Sequence, residues 1–129
     1  MIILDASALV DVLVSERLGP RVQGHLEREQ SVAAPELIHV EVASALWRME
    51  RAGDLASDVA LSALTHARTF NLTAVAHRDL MGRAWRFREH VRISDAFYLA
   101  CADLMGAPLL TTDARLARGH HGVPVTLIT

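Results

Sequence analysis

The stretch Ile2-Ile3-Leu4-Asp5-Ala6-Ser7-Ala8-Leu9-Val10 decides the fold class. Ile2–Leu4 reads as a short buried strand and Ala6–Val14 continues as a helix, with Asp5 at the turn between them. The same alternation recurs along the chain. Gly19 and Pro20 restart a helix to about Glu29, and Ser31–Ala34 is a short strand. Pro35 sits where a first helical turn tolerates proline, ahead of a helix from Glu36 to about Ala52 that Gly53 ends. Ser57 or Asp58 caps the next helix, which reaches about Phe70, and Leu72–Ala76 is a strand. His77 to about His90 is helical and rich in arginine. Ser94 caps a helix running to Met105 and stopped by Gly106. Leu109–Thr112 is a strand, Ala114–Arg118 a short helix and Val123–Ile128 the last strand. Short strands alternating with helices predict an α/β fold around a mostly parallel sheet. No repeat, low-complexity tract or linker interrupts the pattern, so one domain over residues 1–129 is expected.

Composition narrows the class. With 129 residues, 51% of them hydrophobic and 22% charged, the chain is long enough to bury a core and is not disordered. A net charge of -2 excludes a polybasic tail protein, and one cysteine, Cys101, excludes an internal disulfide. Cys101 lies in an apolar helix and reads as core. The N-terminal apolar run lacks a basic leader and is broken by Asp5, so no signal peptide is expected. No stretch approaches the roughly 18–20 apolar residues of a membrane span, and a cytoplasmic location is expected. All 13 basic residues are arginine. Chemistry that needs lysine, such as a P-loop or a pyridoxal phosphate Schiff base, is therefore excluded.

Four carboxylates sit where a surface acid is not expected. Asp5 and Asp113 each follow an apolar strand and open a helix, at the carboxyl strand ends where open parallel sheets place their sites. Each could equally be a helix N-cap. Glu41 is flanked at helical spacing by Leu37, Ile38, Ser44 and Ala45, a stripe that should meet the sheet. A buried carboxylate there is costly unless paired or bound to a metal. Asp95 opens the apolar helix Ala96-Phe-Tyr-Leu-Ala-Cys-Ala, where it could instead serve the helix dipole. Crowded carboxylates repel one another, and a divalent cation removes the conflict. All-oxygen donors favour Mg²⁺ or Mn²⁺ over Zn²⁺.

Histidine offers no rival site. None of the 7 histidines pairs with another at the roughly three-to-five-residue spacing of zinc ligands, and His120-His121 reads as a solvated loop. Hydroxyls flank two of the acids, Ser7 after Asp5 and Thr111 before Asp113. They can orient a carboxylate or bond the local backbone.

Asp5-Ala-Ser-Ala-Leu-Val, Pro35 through Glu41-Val-Ala-Ser-Ala-Leu, Ser94-Asp95-Ala-Phe-Tyr-Leu-Ala and Leu110-Thr111-Thr112-Asp113 resemble the four motifs of PIN-domain nucleases. Length and motif order resemble the VapC-type toxins of bacterial toxin–antitoxin pairs. The resemblance covers essentially the whole chain. Each motif alone is weak, and the four in order are specific. It implies a three-layer α/β/α sandwich and a metal-dependent endoribonuclease. Carried over motif by motif, Asp5, Glu41, Asp95 and Asp113 are the catalytic and metal-binding cluster, with Ser7 and Thr111 as supporting hydroxyls and Mg²⁺ (or Mn²⁺) as the cofactor. The last acid of such clusters can act through water, which sets Asp113 apart. The resemblance also implies an RNA substrate, a small cognate antitoxin that blocks the acidic pocket, and a homodimer.

Removing the four site acids from the 15 acidic residues leaves 11 negative charges against 13 positive. Arg78, Arg83, Arg86, Arg88 and Arg92 form a candidate phosphate-contact strip, and Arg115 and Arg118 a second. Trp85 and Phe87 are expected in the core rather than on bases. Leu37, Leu46 and Trp47 offer apolar surface to a partner or a twin subunit, or fill the protein's own core. Three other functions compete. An aspartyl-phosphate phosphatase wants a second acid where Ser7 stands, and a lysine. A non-catalytic binding module need not keep a costly acidic cluster. A PIN nuclease of RNA processing differs from a toxin only in its gene neighbour and growth effect.

Overall fold

The computed structural model describes residues 1–120 and 122–129. The elements in chain order are β1 (Ile2–Leu4), α1 (Ala6–Val14), α2 (Gly19–Leu26), β2 (Val32–Pro35), α3 (Leu37–Arg51), α4 (Ser57–Thr69) and β3 (Thr73–Val75). A 3-10 turn at His77–Asp79 leads to α5 (Met81–Arg86), α6 (Ile93–Met105), β4 (Leu109–Thr111), α7 (Ala114–Arg118) and β5 (Val125–Leu127).

The five strands form one sheet in the order β3-β2-β1-β4-β5, and every pair is parallel. β1 is the central strand, with Ile3 in register with Ala33 on one side and Leu109 on the other. Strands covered on both faces should be continuously apolar. Ile3, Leu4, Ala33, Ala34, Leu109 and Leu110 are indeed fully buried, whereas Thr73 and Ala74 on the edge strand β3 are exposed. The chain steps from β1 to β2 to β3, then returns past β1 to β4 and β5. Right-handed crossovers put the helices of the two halves on opposite faces. In the first half α1 packs on α2, α3 and α4; in the second, α6 packs on α5 and lies across β1, β2 and β4. The three-layer α/β/α expectation holds. The strand order reverses between β1 and β4, so their carboxyl ends form the crevice where such sheets take ligands.

Several local expectations are corrected. Pro35 closes β2 instead of opening a helix. It pairs only with Val75 of β3, so its missing N–H breaks no bond toward β1. Ser57 and Ser94 are the first and second residues of their helices and do not cap them. The extended backbone that a cap requires falls earlier, at Ala56 (ψ 152°) and Arg92 (ψ 150°). Asp58 lies in the first turn of α4. The stretch from His77 to His90 is not one helix: it breaks around the fully buried Leu80, and α5 ends at Arg86. The helix from Gly19 stops at Leu26, and the last strand is only Val125–Leu127. Gly106 ends α6 as expected, in the left-handed conformation (φ 61°) that a side chain would strain. His120 is exposed, and His121 lies outside the described residues. Among the described residues no helix is long and apolar enough to cross a membrane.

Candidate active site

Asp5 and Asp113 occupy equivalent places, each one or two residues past the end of a central strand. The structure separates their roles. Asp113 caps α7: its Oδ1 accepts the backbone N–H of Arg115 at 2.9 Å and of Leu116 at 3.4 Å. Asp5 stands at the N-cap of α1 but makes no side-chain cap. Its Oδ2 accepts instead from the Thr111 hydroxyl at 2.7 Å and from the Ser7 hydroxyl. Thr111 in turn accepts the Asp113 N–H at 2.9 Å, and the Ser7 and Thr111 hydroxyls lie 3.3 Å apart. The two hydroxyls thus tie the end of β1 to the end of β4 and fix the Asp5 carboxylate.

Asp5 and Asp95 are buried, at 5% and 6% exposure. Asp95, in the first turn of α6, pairs with Arg92 Nε at 3.2 Å. Glu41, half-buried on α3, accepts the Tyr98 hydroxyl of α6 at 2.6 Å. Burial pushes the Asp5 carboxyl up to about 6; the Ser7 and Thr111 hydrogen bonds oppose the rise, and the charges of Asp95 and Glu41 add to it. Tyr98 is fully buried, and burial together with Asp5 and Glu41 keeps its phenol protonated as a donor. Arg92 is held firmly charged by Asp95 beside it, with Asp113 and Glu41 contributing.

These side chains line one cleft of about 540 Å³: Asp5, Ser7, Glu41, Asp95 and Asp113, together with Asp11, Arg48, Asp54 and Arg92. The structure therefore brings together the four expected carboxylates from β1, α3, α6 and β4. Thr111 lies just beneath them, fully buried. Among the described residues no three acid, histidine or cysteine side chains are drawn into a closed ligand set; the acids line an open cleft. The donors are carboxylate and hydroxyl oxygens and outnumber the cations on the cleft wall, which suits a hard divalent ion.

The arginines divide. Arg92 belongs to the acidic cleft itself. Arg83 is engaged by Asp103 at 2.6 Å, and Arg88 lies over the Trp85 ring at 4.8 Å while donating to the Trp85 carbonyl. Arg78, Arg86, Arg115 and Arg118 are exposed. The break at Leu80 denies them a single helical strip. Phe87 is buried as expected, but Trp85 is 60% exposed, because the short α5 turns only Ala84 fully inward. On α3, Leu46 is core and Leu37 half-buried, while Trp47 is exposed beside a shallow groove of about 200 Å³ between α3 and α4.

Sequence reasoning missed Tyr98, Asp11, Arg48 and Asp54. Tyr98 had a signal, since a phenol in an otherwise apolar helix needs a partner. Asp11 stands one helical turn beyond Ser7, on the same face of α1. Arg48 stands two turns beyond Glu41, and Asp54, in the loop after α3, had none.

Residues 2–120 match the PIN domain family. This chain is a PIN-domain protein. It is homologous to mycobacterial VapC ribonucleases. It is 40% identical to Ribonuclease VapC3 of Mycobacterium tuberculosis over 119 residues, covering 91% of this chain and 85% of the relative. It is 32% identical to Ribonuclease VapC12 of the same organism over 130 residues, 99% of each chain. The PIN fold is matched by M. tuberculosis VapC20, a Sarcin-Ricin loop cleaving toxin, with TM-score 0.71, 14% identity and coverage of 95% of this chain and 96% of that one. FitAcB from Neisseria gonorrhoeae matches with TM-score 0.71 and 13% identity, covering 97% and 96%. PAE2754 from Pyrobaculum aerophilum matches with TM-score 0.69 and 20% identity, covering 96% and 82%.

Proposed function

We propose that residues 1–129 act as one PIN-domain unit, a Mg²⁺- or Mn²⁺-dependent endoribonuclease serving as the toxin of a toxin–antitoxin pair. The observation that carries this reading is the convergence of Asp5, Glu41, Asp95 and Asp113 on one cleft at the β1/β4 crevice. The names of the full-length VapC relatives support ribonuclease activity.

In this reading Asp5, Glu41, Asp95 and Asp113 hold the ion. Bound there, it supplies Lewis acidity, lowering the pKa of water and offsetting phosphate charge. Ser7 and Thr111 keep the Asp5 carboxylate aimed into the cleft, and Tyr98 does the same for Glu41. Asp113 combines its place in the cleft with the cap that anchors α7. Cys101 is no candidate nucleophile, being fully buried with its thiol pushed up to about 12 by burial. Attack by water leaves a 5′-phosphate and a 3′-hydroxyl, whereas attack by the RNA 2′-hydroxyl would leave a cyclic phosphate. The partners are RNA, a small antitoxin that covers the acidic cleft, and a second copy of the chain. The exposed Trp47 groove supplies apolar surface for assembly, and the site of action is the cytoplasm.

The test is cleavage of end-labelled total RNA by antitoxin-free protein with Mg²⁺ or Mn²⁺, with EDTA, and with Asp95→Asn prepared in parallel. Discrete 5′-phosphorylated fragments that vanish in both controls are expected. Cleavage that persists in Asp95→Asn would place the activity elsewhere or in a contaminant. Folded protein that binds the metal but cuts no RNA would favour a binding module.

A further inference from the structure

A second, smaller cavity adjoins the acidic cleft. It is an open depression of about 280 Å³ lined by Glu89, His90, Val91, Arg92, Asp95 and Arg115. Arg92 and Asp95 line both cavities, so the two adjoin at this residue pair. The second cavity therefore borders the cleft, between the loop before α6 and the first turn of α7.

Its charges are unlike those of the cleft. Arg92 and Arg115 stand on different elements, and both side chains are largely exposed to the cavity and solvent. Arg92 is committed on one edge to Asp95 through Nε. A guanidinium has further N–H donors in its plane, so the pair leaves Arg92 able to donate to a second anion. Among the described residues the Arg115 side chain has no ion-pair or hydrogen-bond partner, although its backbone N–H is taken by the Asp113 cap. Glu89, exposed, is the one carboxylate here that does not belong to the four-acid cluster. The cavity lies at the lower end of the volumes that hold small ligands, about 300 Å³, and so suits one nucleotide unit rather than a duplex.

We propose that this cavity is the subsite for the nucleotide next to the scissile bond, with Arg92 and Arg115 gripping its phosphate from two sides. The proposal rests on the ribonuclease reading above and adds to it where the strand leaves the cleft. Of the seven arginines that sequence alone offers as RNA contacts, it selects these two. Arg78, Arg83, Arg86, Arg88 and Arg118 line neither cavity. Arg92 is then a positioning residue for Asp95 as well as a phosphate contact, whereas Arg115 contacts substrate alone.

Arg115 therefore gives the cleaner test. End-labelled total RNA is cut with enzyme in excess, and the rate of one discrete fragment is followed against enzyme concentration at several salt concentrations. Wild type is compared with Arg115→Gln, Arg115→Lys and Arg68→Gln, the last on α4 outside both cavities. Arg115→Gln should raise the half-saturating enzyme concentration about tenfold and leave the maximal rate within about twofold. Losing one phosphate contact should also flatten the log–log salt slope by about 0.7. Arg115→Lys should recover most of the binding, and Arg68→Gln should behave as wild type. Half-saturation and salt slope unchanged in Arg115→Gln would overturn the subsite while cleavage by wild type left the ribonuclease reading standing. Absence of cleavage by wild type would sink that reading, and the subsite with it.

Discussion

At the scale of single residues, Asp5 is the costly group. Its carboxyl titrates near 6 in the folded chain against an ordinary 3.8, because it is buried beside Asp95 and Glu41. A carboxyl raised by folding binds its proton more tightly in the native state, so native stability falls as pH rises from about 4 to about 6 and stays low above that. The loss is about 3 kcal/mol for this one group. Metal-free protein should therefore melt at lower temperature at pH 7.5 than at pH 4.5, and Asp5→Asn should remove most of that difference. Thermal melts in EDTA at the two pH values decide it; equal pH dependence in the two proteins would mean that Asp5 is not the strained group. Tyr98 is the second informative residue. Its hydroxyl is the partner that holds Glu41, so Tyr98→Phe keeps the ring's packing and frees the carboxylate. A stability loss of about 1 kcal/mol and a cleavage rate about tenfold lower are expected, from urea unfolding and the RNA assay. Full activity in Tyr98→Phe would show that Glu41 needs no such support.

At the scale of elements, the strand-to-helix switches carried most of the fold into the sequence. Ile2–Leu4 followed by Asp5, and the Leu109 strand followed by Asp113, are legible because the hydrophobic pattern changes period at the acid. They also place both acids at strand ends without any coordinates. The site was less legible where it depends on contacts across elements. Nothing local says that Tyr98 meets Glu41, 57 residues away, or that Thr111 reaches Asp5, 106 residues away. Ser57 and Ser94 misled because cap preference is local, whereas the turn that starts each helix was set by Ala56 and Arg92 adopting extended backbone. Asp113 both caps α7 and lines the acidic cleft, and this yields an element-scale prediction. Asparagine caps as well as aspartate, while alanine costs about 1 kcal/mol. Asp113→Asn should therefore keep wild-type stability with reduced cleavage, and Asp113→Ala should lose both. Unfolding curves and RNA cleavage on the two variants separate the roles, and an Asp113→Asn as unstable as Asp113→Ala would overturn this division.

At the scale of the whole molecule, the four carboxylates come from the end of β1, α3, α6 and the end of β4, so both helical layers and the sheet centre contribute to the cleft. Without a cation this junction is held against its own repulsion by Arg92, the Ser7 and Thr111 hydroxyls and the Tyr98 phenol. An ion bound by all four acids would cross-link layers that otherwise repel there, and any ligand that binds only the folded state raises its stability by mass action. At 100 times its dissociation constant the gain is about 2.7 kcal/mol, which for a chain of this length shifts the melting temperature by about 10 °C. Titrating Mn²⁺ into metal-free protein at pH 7.5 should produce that rise with no RNA present. Asp95→Asn should show less than half of it, since it removes one acid and leaves Arg92 uncompensated. The same titration at pH 4.5 should give a smaller rise in wild type, because protons then compete for Asp5. A melting temperature indifferent to Mn²⁺ and Mg²⁺ at both pH values would mean that the cluster is not an ion site. The raised Asp5 would then be strain for which the fold offers no ligand.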